Sequence, residues 1–139
     1  MLRDPFVLAI KEGHEQVVQL LVKNGADVNY EGGVGEFPLA LAVQSKNEKI
    51  VELLLQHGAD INRGWDGWDN VLEGAIAGGN PDESIMRVLL AHVSRLDVEN
   101  LRYDSAHKRA LGFCSESVIQ LFEAAGFPRC PRWERPFYL

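Results

Sequence analysis

Gly25-Ala26-Asp27-Val28-Asn29 returns as Gly58-Ala59-Asp60-Ile61-Asn62, 33 residues further along a chain of 139. The agreement spreads outward from these pentapeptides. Ala9, Val18, Leu20 and Leu21 recur at the same offset as Ala42, Val51, Leu53 and Leu54, Pro5 as Pro38, and Glu15 as Glu48. Self-similarity at a fixed period of this size marks a stack of small units, each covering an apolar face its neighbour cannot bury alone. Within the second unit, Ile50, Val51, Leu53, Leu54 and Leu55 form a broad apolar stripe at helical spacing.

The stretch from Gly13-His14-Glu15 to Asp27-Val28-Asn29 resembles the ankyrin-repeat consensus nearly position for position. The resemblance covers about residues 4–126. It implies an all-α fold, a solenoid of about four helix-turn-helix repeats, followed by a non-regular C-terminal tail. One domain is expected over 1–126, with repeats at about 4–36, 37–69, 70–104 and 105–126, and a Pro/aromatic tail over 127–139.

Local chemistry agrees with that partition. Asp4 before Pro5 reads as an N-cap with proline at the first helical position. The first repeat should carry helices over about 5–12 and 15–24, the second over about Pro38–Ser45 and Glu48–His57. Gly25 and Gly58 stop the second helix of each pair, where a left-handed residue is needed. In the third repeat Leu72 and Ala75 keep the 33-residue offset from Leu39 and Ala42, and Asn70 with Glu73 resembles a capping box. Its second helix, about Glu83–Ala91, arrives two residues late, with Pro81-Asp82 read as the insertion in the inter-helix turn. The fourth repeat keeps the shifted register: Ser105 is its N-cap, Val118–Phe122 its outer-helix core and Gly126 its stop. Three prolines, at 128, 131 and 136, keep the tail from continuing as a regular helix. Trp133, Phe137, Tyr138 and Leu139 are expected to fold back as a lid, with a partner-binding tail as the alternative. At the other end Leu2, Phe6 and Ile10, spaced by four, are expected on one face of the first inner helix, as a partly exposed edge, a dimer contact or the join to an upstream segment.

Composition narrows the function classes. Net charge is −6, unevenly spread: residues 1–100 hold 16 acids against 8 Lys/Arg, and residues 101–139 hold 4 against 6. An acidic body argues against nonspecific nucleic-acid binding, which needs a basic face to displace phosphate counterions, and suits a basic protein partner. No apolar run reaches the ~18–20 residues of a membrane span. The N-terminus lacks the basic-then-apolar pattern of a secretory signal. Cys114 and Cys130 form no disulfide framework, so reduced thiols and a cytoplasmic setting are expected.

Catalysis finds little support. His57 and His92 fall at equivalent C-terminal ends of outer helices, where a helix cap is the natural role. His14 follows Gly13 where the family carries Gly-His, so a hydrogen bond shaping that turn is expected. No HxxxH, HExxH or CxxC spacing occurs, which leaves a metal site without a local signature. Gly32-Gly33-Val34-Gly35 lacks the lysine of a phosphate loop. No cofactor is expected. An enzyme using Cys114 or His107 is the minor alternative.

The family resemblance makes protein–protein recognition the expected function. It places a projecting finger between repeats and lines fingers and inner-helix ends into one concave face. Arg63-Gly64-Trp65-Asp66-Gly67-Trp68-Asp69 is such a finger, with two indoles between two carboxylates in the manner of an interface anchor. Other acids fall on fingers too, among them Glu31, Glu36, Glu99 and Asp104. The residues expected to meet a partner are Tyr30, Glu31, Glu36 and Gln44 from the first two repeats. Trp65, Asp66, Trp68 and Asp69 come from the central finger, Arg102 and Tyr103 from the end of the third repeat, and Phe113 from the fourth. The reading is a small adaptor or inhibitor, monomeric or weakly dimeric, that takes a basic protein, in its sharpest form an immunity-type inhibitor of a toxin or nuclease. A scaffold fragment of a longer ankyrin-repeat protein is the other reading.

Overall fold

The computed structural model describes residues 4–31, 37–62, 70–76, 81–93 and 115–127. Seven helices and no strand occur among them. In chain order these are α1 (Pro5–Lys11), α2 (Glu15–Lys23), α3 (Pro38–Gln44), α4 (Glu48–Gln56), α5 (Val71–Ile76), α6 (Glu83–Ala91) and α7 (Glu116–Ala124). Helices α1 to α4 and α6 fall on the expected helices within one residue, α5 holds Leu72 and Ala75, and α7 carries the expected Val118–Phe122 core. Two compact units are present, Met1–Val71 and Leu72–Leu139.

In the first unit α1 pairs with α2 and α3 with α4, and the pairs stack through α1 on α3 and α2 on α4. The Asp4 carboxylate accepts from the Phe6 N–H at 2.8 Å, so the aspartate–proline start is a true cap. Gly25 and Gly58 adopt φ of 92° and 89° after α2 and α4, a conformation glycine reaches without steric cost. The inner helices of this unit bury Phe6, Ala9, Ile10, Leu39, Ala42 and Val43. Phe6 and Ile10 are therefore core residues, against the expected exposed edge. They are buried on the helix that packs against α2 and α3. Leu2 and Ser105 lie outside the described residues, as does the tail from Pro128.

In the second unit α6 packs against α7. Asp82 caps α6 through its carboxylate, which accepts from the Ser84 and Ile85 N–H groups at 2.9 and 3.2 Å. The presumed insertion thus supplies the N-cap itself. Gly126 takes φ of 101° after α7, and Phe127 closes edge-on against Phe122 with ring centroids 5.1 Å apart. Asn70 and Glu73, the suggested capping-box pair, are both buried where α5 begins.

The burial pattern of the outer helices repeats with the sequence. Val18, Val51, Met86 and Ile119 are buried, as are Leu54, Leu89 and Phe122. Leu53, Val88 and Leu121 are half-buried at equivalent positions. Leu53 is therefore not the core leucine of α4. Leu54 is, with no exposed surface.

Candidate protein-binding face

Turns between repeats position whatever a partner would meet, and the repeated pentapeptide builds them. Asp27 accepts from the Asn29 N–H through its carboxylate at 2.9 Å, and Asp60 accepts from the Asn62 N–H at the same distance. Each is an Asx turn that reverses the chain after an outer helix. Asn29 then reaches into the next repeat. Its Nδ2 donates to the Gly58 carbonyl at 3.1 Å and its Oδ1 accepts from the Asp60 N–H at 2.8 Å. A main-chain bond from the Tyr30 N–H to the Asp27 carbonyl at 3.1 Å completes the first turn. Tyr30 and Glu31 leave that turn on the surface, Tyr30 with 37% of its area exposed.

Inner-helix ends supply the other described positions. Gln44 and Ser45 at the end of α3 are exposed, as are Lys11 and Glu12, which precede them by 33 residues. Of the expected partner-contacting residues, Tyr30, Glu31 and Gln44 are thus solvent-facing. Glu36, Trp65, Asp66, Trp68, Asp69, Arg102, Tyr103 and Phe113 lie outside the described residues, together with Cys114 and His107.

The described histidines have structural surroundings. His57 Nδ1 lies 2.8 Å from the Leu53 carbonyl, and His92 Nδ1 lies 2.9 Å from the Val88 carbonyl. Each imidazole lies against a carbonyl in the last turn of its helix, and the Leu53 carbonyl also accepts from the His57 main-chain N–H at 3.2 Å. His14 differs from expectation. It is the N-cap residue of α2 but makes no side-chain capping bond. The turn is held instead by main-chain bonds, His14 N–H to the Ala9 carbonyl at 2.9 Å and Gly13 N–H to the Ile10 carbonyl at 3.1 Å.

Among the described residues no three His, Cys, Asp or Glu side chains converge on a metal-sized site. No helix among them is long and apolar enough to cross a membrane. A shallow cleft of about 190 Å³ between α6 and α7, lined by Arg87, Leu90 and Leu121, is below the ~300 Å³ of a small-molecule pocket.

One exposed feature escapes a reading of apolar spacing alone. Leu8, Val17 and Leu20 keep 39%, 46% and 60% of their surface in solvent. The signal lies in comparing repeats: 33 residues later the equivalents Leu41 and Ile50 are covered and Leu53 is half-covered.

The family model described as "Ankyrin repeats (3 copies)" matches residues 2–64. No curated protein matches the chain. Among solved structures, the ankyrin repeat domain of Bcl-3, described as a unique member of the IkappaB protein family, superposes with a TM-score of 0.72 at 22% identity. The match covers 91% of this chain and 58% of that one, so the chain spans little more than half the length of the structure it resembles. Such repeats form protein–protein interaction modules, on a fold that typically binds rather than catalyses. With the period, the caps, the stacked helix pairs and both comparisons in agreement, residues 2–64 carry ankyrin repeats and the chain has an ankyrin-repeat fold.

Proposed function

We propose that the chain is a small non-catalytic adaptor or inhibitor that holds a basic protein against its fingers and inner-helix ends. The observation that carries the reading is charge: residues 1–100 hold 16 acids against 8 Lys/Arg. Glu31 stands exposed beside the half-open ring of Tyr30, a carboxylate next to an aromatic contact on the first finger. In this reading Glu31, Glu36, Asp66 and Asp69 steer the encounter and fix its register. Trp65 and Trp68 supply affinity by desolvation at the centre of the interface. Gln44, Arg102, Tyr103 and Phe113 complete the face. The repeats over 1–126 act as one binding domain in the cytoplasm, with the tail over 127–139 as its lid. An acidic, compact plug of this kind suits an immunity-type inhibitor, whose natural target is a basic toxin or nuclease.

The test is affinity capture from native lysate with wild type, Trp65→Ala/Trp68→Ala and Asp66→Lys/Asp69→Lys baits, read by mass spectrometry and repeated at raised salt. One stoichiometric partner with a basic isoelectric point, lost in both variants and weakened by salt, is the expected result. An acidic partner, or capture indifferent to the charge reversal, overturns the basic-partner reading.

A further inference from the structure

We propose that Asn24-Gly25 is a self-modification site held shut by the fold: opening the end of α2 lets Asn24 deamidate, and the product keeps that end from closing as before. Asparagine is a thermolabile residue. Its deamidation is an attack by the following main-chain nitrogen, which a bare glycine leaves unshielded. Asn24 is the one asparagine of the sequence followed by glycine. Both residues are exposed, so water reaches them. The Gly25 nitrogen bonds to Asn24 Cγ, the Cγ–Nδ2 bond breaks, and Nδ2 leaves as ammonia with the proton from the Gly25 N–H. Water then opens the cyclic imide at either carbonyl and leaves an aspartyl or an isoaspartyl residue at position 24. A water is consumed and an ammonia released, with no oxidant or reductant.

The folded helix end opposes each part of that step. Asn24 Nδ2, the leaving nitrogen, donates to the Leu20 carbonyl at 2.8 Å, which draws the carboxamide back along α2 and away from the Gly25 nitrogen. The nucleophile is engaged too. Gly25 N–H donates to the Val22 carbonyl at 3.1 Å, and Ala26 N–H to the Leu21 carbonyl at 3.0 Å. With Gly25 at φ of 92°, these two bonds are the paired closure of a Schellman turn. Once formed, the product cannot rebuild this end. A carboxylate in place of the carboxamide sets an acceptor against the Leu20 carbonyl, at the negative end of the helix dipole. The isoaspartyl form also adds a methylene to the main chain inside the turn, out of register with the Val22 and Leu21 carbonyls. Later repeats meet the same demand without the reactive amide. His57 and His92, at the equivalent positions, set Nδ1 2.8 and 2.9 Å from the Leu53 and Val88 carbonyls. Of these three helices only α2 is closed by a group that hydrolyses.

The test holds the full chain in mildly alkaline buffer, native and in urea, and follows peptides spanning residues 24 and 25 by mass spectrometry. In urea Asn24 should convert well ahead of Asn29, Asn47, Asn62 and Asn70. In the native chain its conversion should be slower by at least about tenfold, the factor set by an opening cost of about 1.4 kcal/mol. Absence of conversion in urea overturns the site, and equal rates in the two conditions overturn the gate. Two variants test the lock. Asn24→Asp carries the aspartyl product from the start and should lower the thermal midpoint. Asn24→His keeps a donor for the Leu20 carbonyl, as His57 does for Leu53, and should hold the midpoint without converting. Asn24→Asp as stable as wild type, or no more harmful than Asn24→His, overturns the lock.

Discussion

The side-chain oxygen of Asn29 accepts the main-chain N–H of Asp60 at 2.8 Å, across 31 residues of sequence. The amide nitrogen of the same side chain donates to the Gly58 carbonyl at 3.1 Å. One side chain thereby holds the turn of the second repeat from the first, and both bonds end on main-chain atoms. Asn29→Ala removes both at once. The site is exposed, so water replaces part of what is lost, and the cost should be about 1 kcal/mol. Asn29→Asp retains an acceptor for the Asp60 N–H but turns a second acceptor toward the Gly58 carbonyl, so it should not restore wild-type stability. Urea midpoints at constant m-value report both. An alanine variant as stable as wild type would mean that this bridge contributes nothing net.

Lys46 holds φ of 55°, the one non-glycine with positive φ among the described residues. Thirty-three residues earlier the same inter-helix position is Gly13, with φ of 74°. A β-carbon in the left-handed region costs ~1–2 kcal/mol. Glycine removes that strain but loses more chain entropy on folding, an opposing ~0.4–1 kcal/mol. Lys46→Gly should therefore stabilise the protein by about 0.5–1 kcal/mol, and Gly13→Ala should destabilise it by a similar amount. Thermal unfolding of the pair checks the sign of each.

Asn47 and His14 occupy equivalent N-cap positions with unequal results. Asn47 Oδ1 accepts from the Ile50 N–H at 3.2 Å, whereas His14 makes no capping bond. Asn47→Ala should cost ~0.5–2 kcal/mol by leaving a first-turn N–H of α4 without that partner. His14→Asn should transplant the cap to α2 and add up to about 1 kcal/mol. Hydrogen exchange of the α2 first turn resolves the gain locally, since slower exchange there is the direct sign of a new cap.

Much of the architecture was legible because the same physical demand recurs at fixed spacing. Positive φ after α2, α4 and α7 selects glycine at 25, 58 and 126, so chain punctuation alone places the ends of those helices. Asp82 was legible as a turn residue but not as the N-cap of α6, because an insertion and a cap use the same residue types. Burial was harder. Leu20 and Leu53 match in sequence as well as Leu21 and Leu54 do, yet Leu20 is exposed, Leu21 and Leu53 are half-buried and Leu54 is covered. Identity of type at one period says that a position is equivalent, and only the neighbouring repeat decides whether it is covered. Phe6 and Ile10 show the converse. Spacing by four put them on one face, but it could not say that α2 and α3 close over that face. Of the proposed binding face, exposure of Tyr30, Glu31 and Gln44 follows from the turn after α2 and the end of α3.

That distinction between equivalence and cover gives a graded series across three leucines of the outer helices. Leu54 has no exposed surface, Leu53 is half-buried, and Leu20 is 60% exposed. Leu54→Ala should cost ~2–5 kcal/mol, the transfer free energy of the lost methylenes plus a residual cavity between α3 and α4. Against a total stability of ~5–15 kcal/mol that is enough to unfold a marginal stack. Leu53→Ala leaves no closed cavity and should cost about 1 kcal/mol, roughly in proportion to the apolar area it buries. Leu20→Ala should fall within about 0.5 kcal/mol of wild type in dilute solution, where α2 has no further cover. Equilibrium urea unfolding of the three variants, at low micromolar concentration, checks the order. Equal costs at 53 and 54 would mean that the sequence repeat alone, rather than cover by the neighbouring helices, sets the contribution of each leucine.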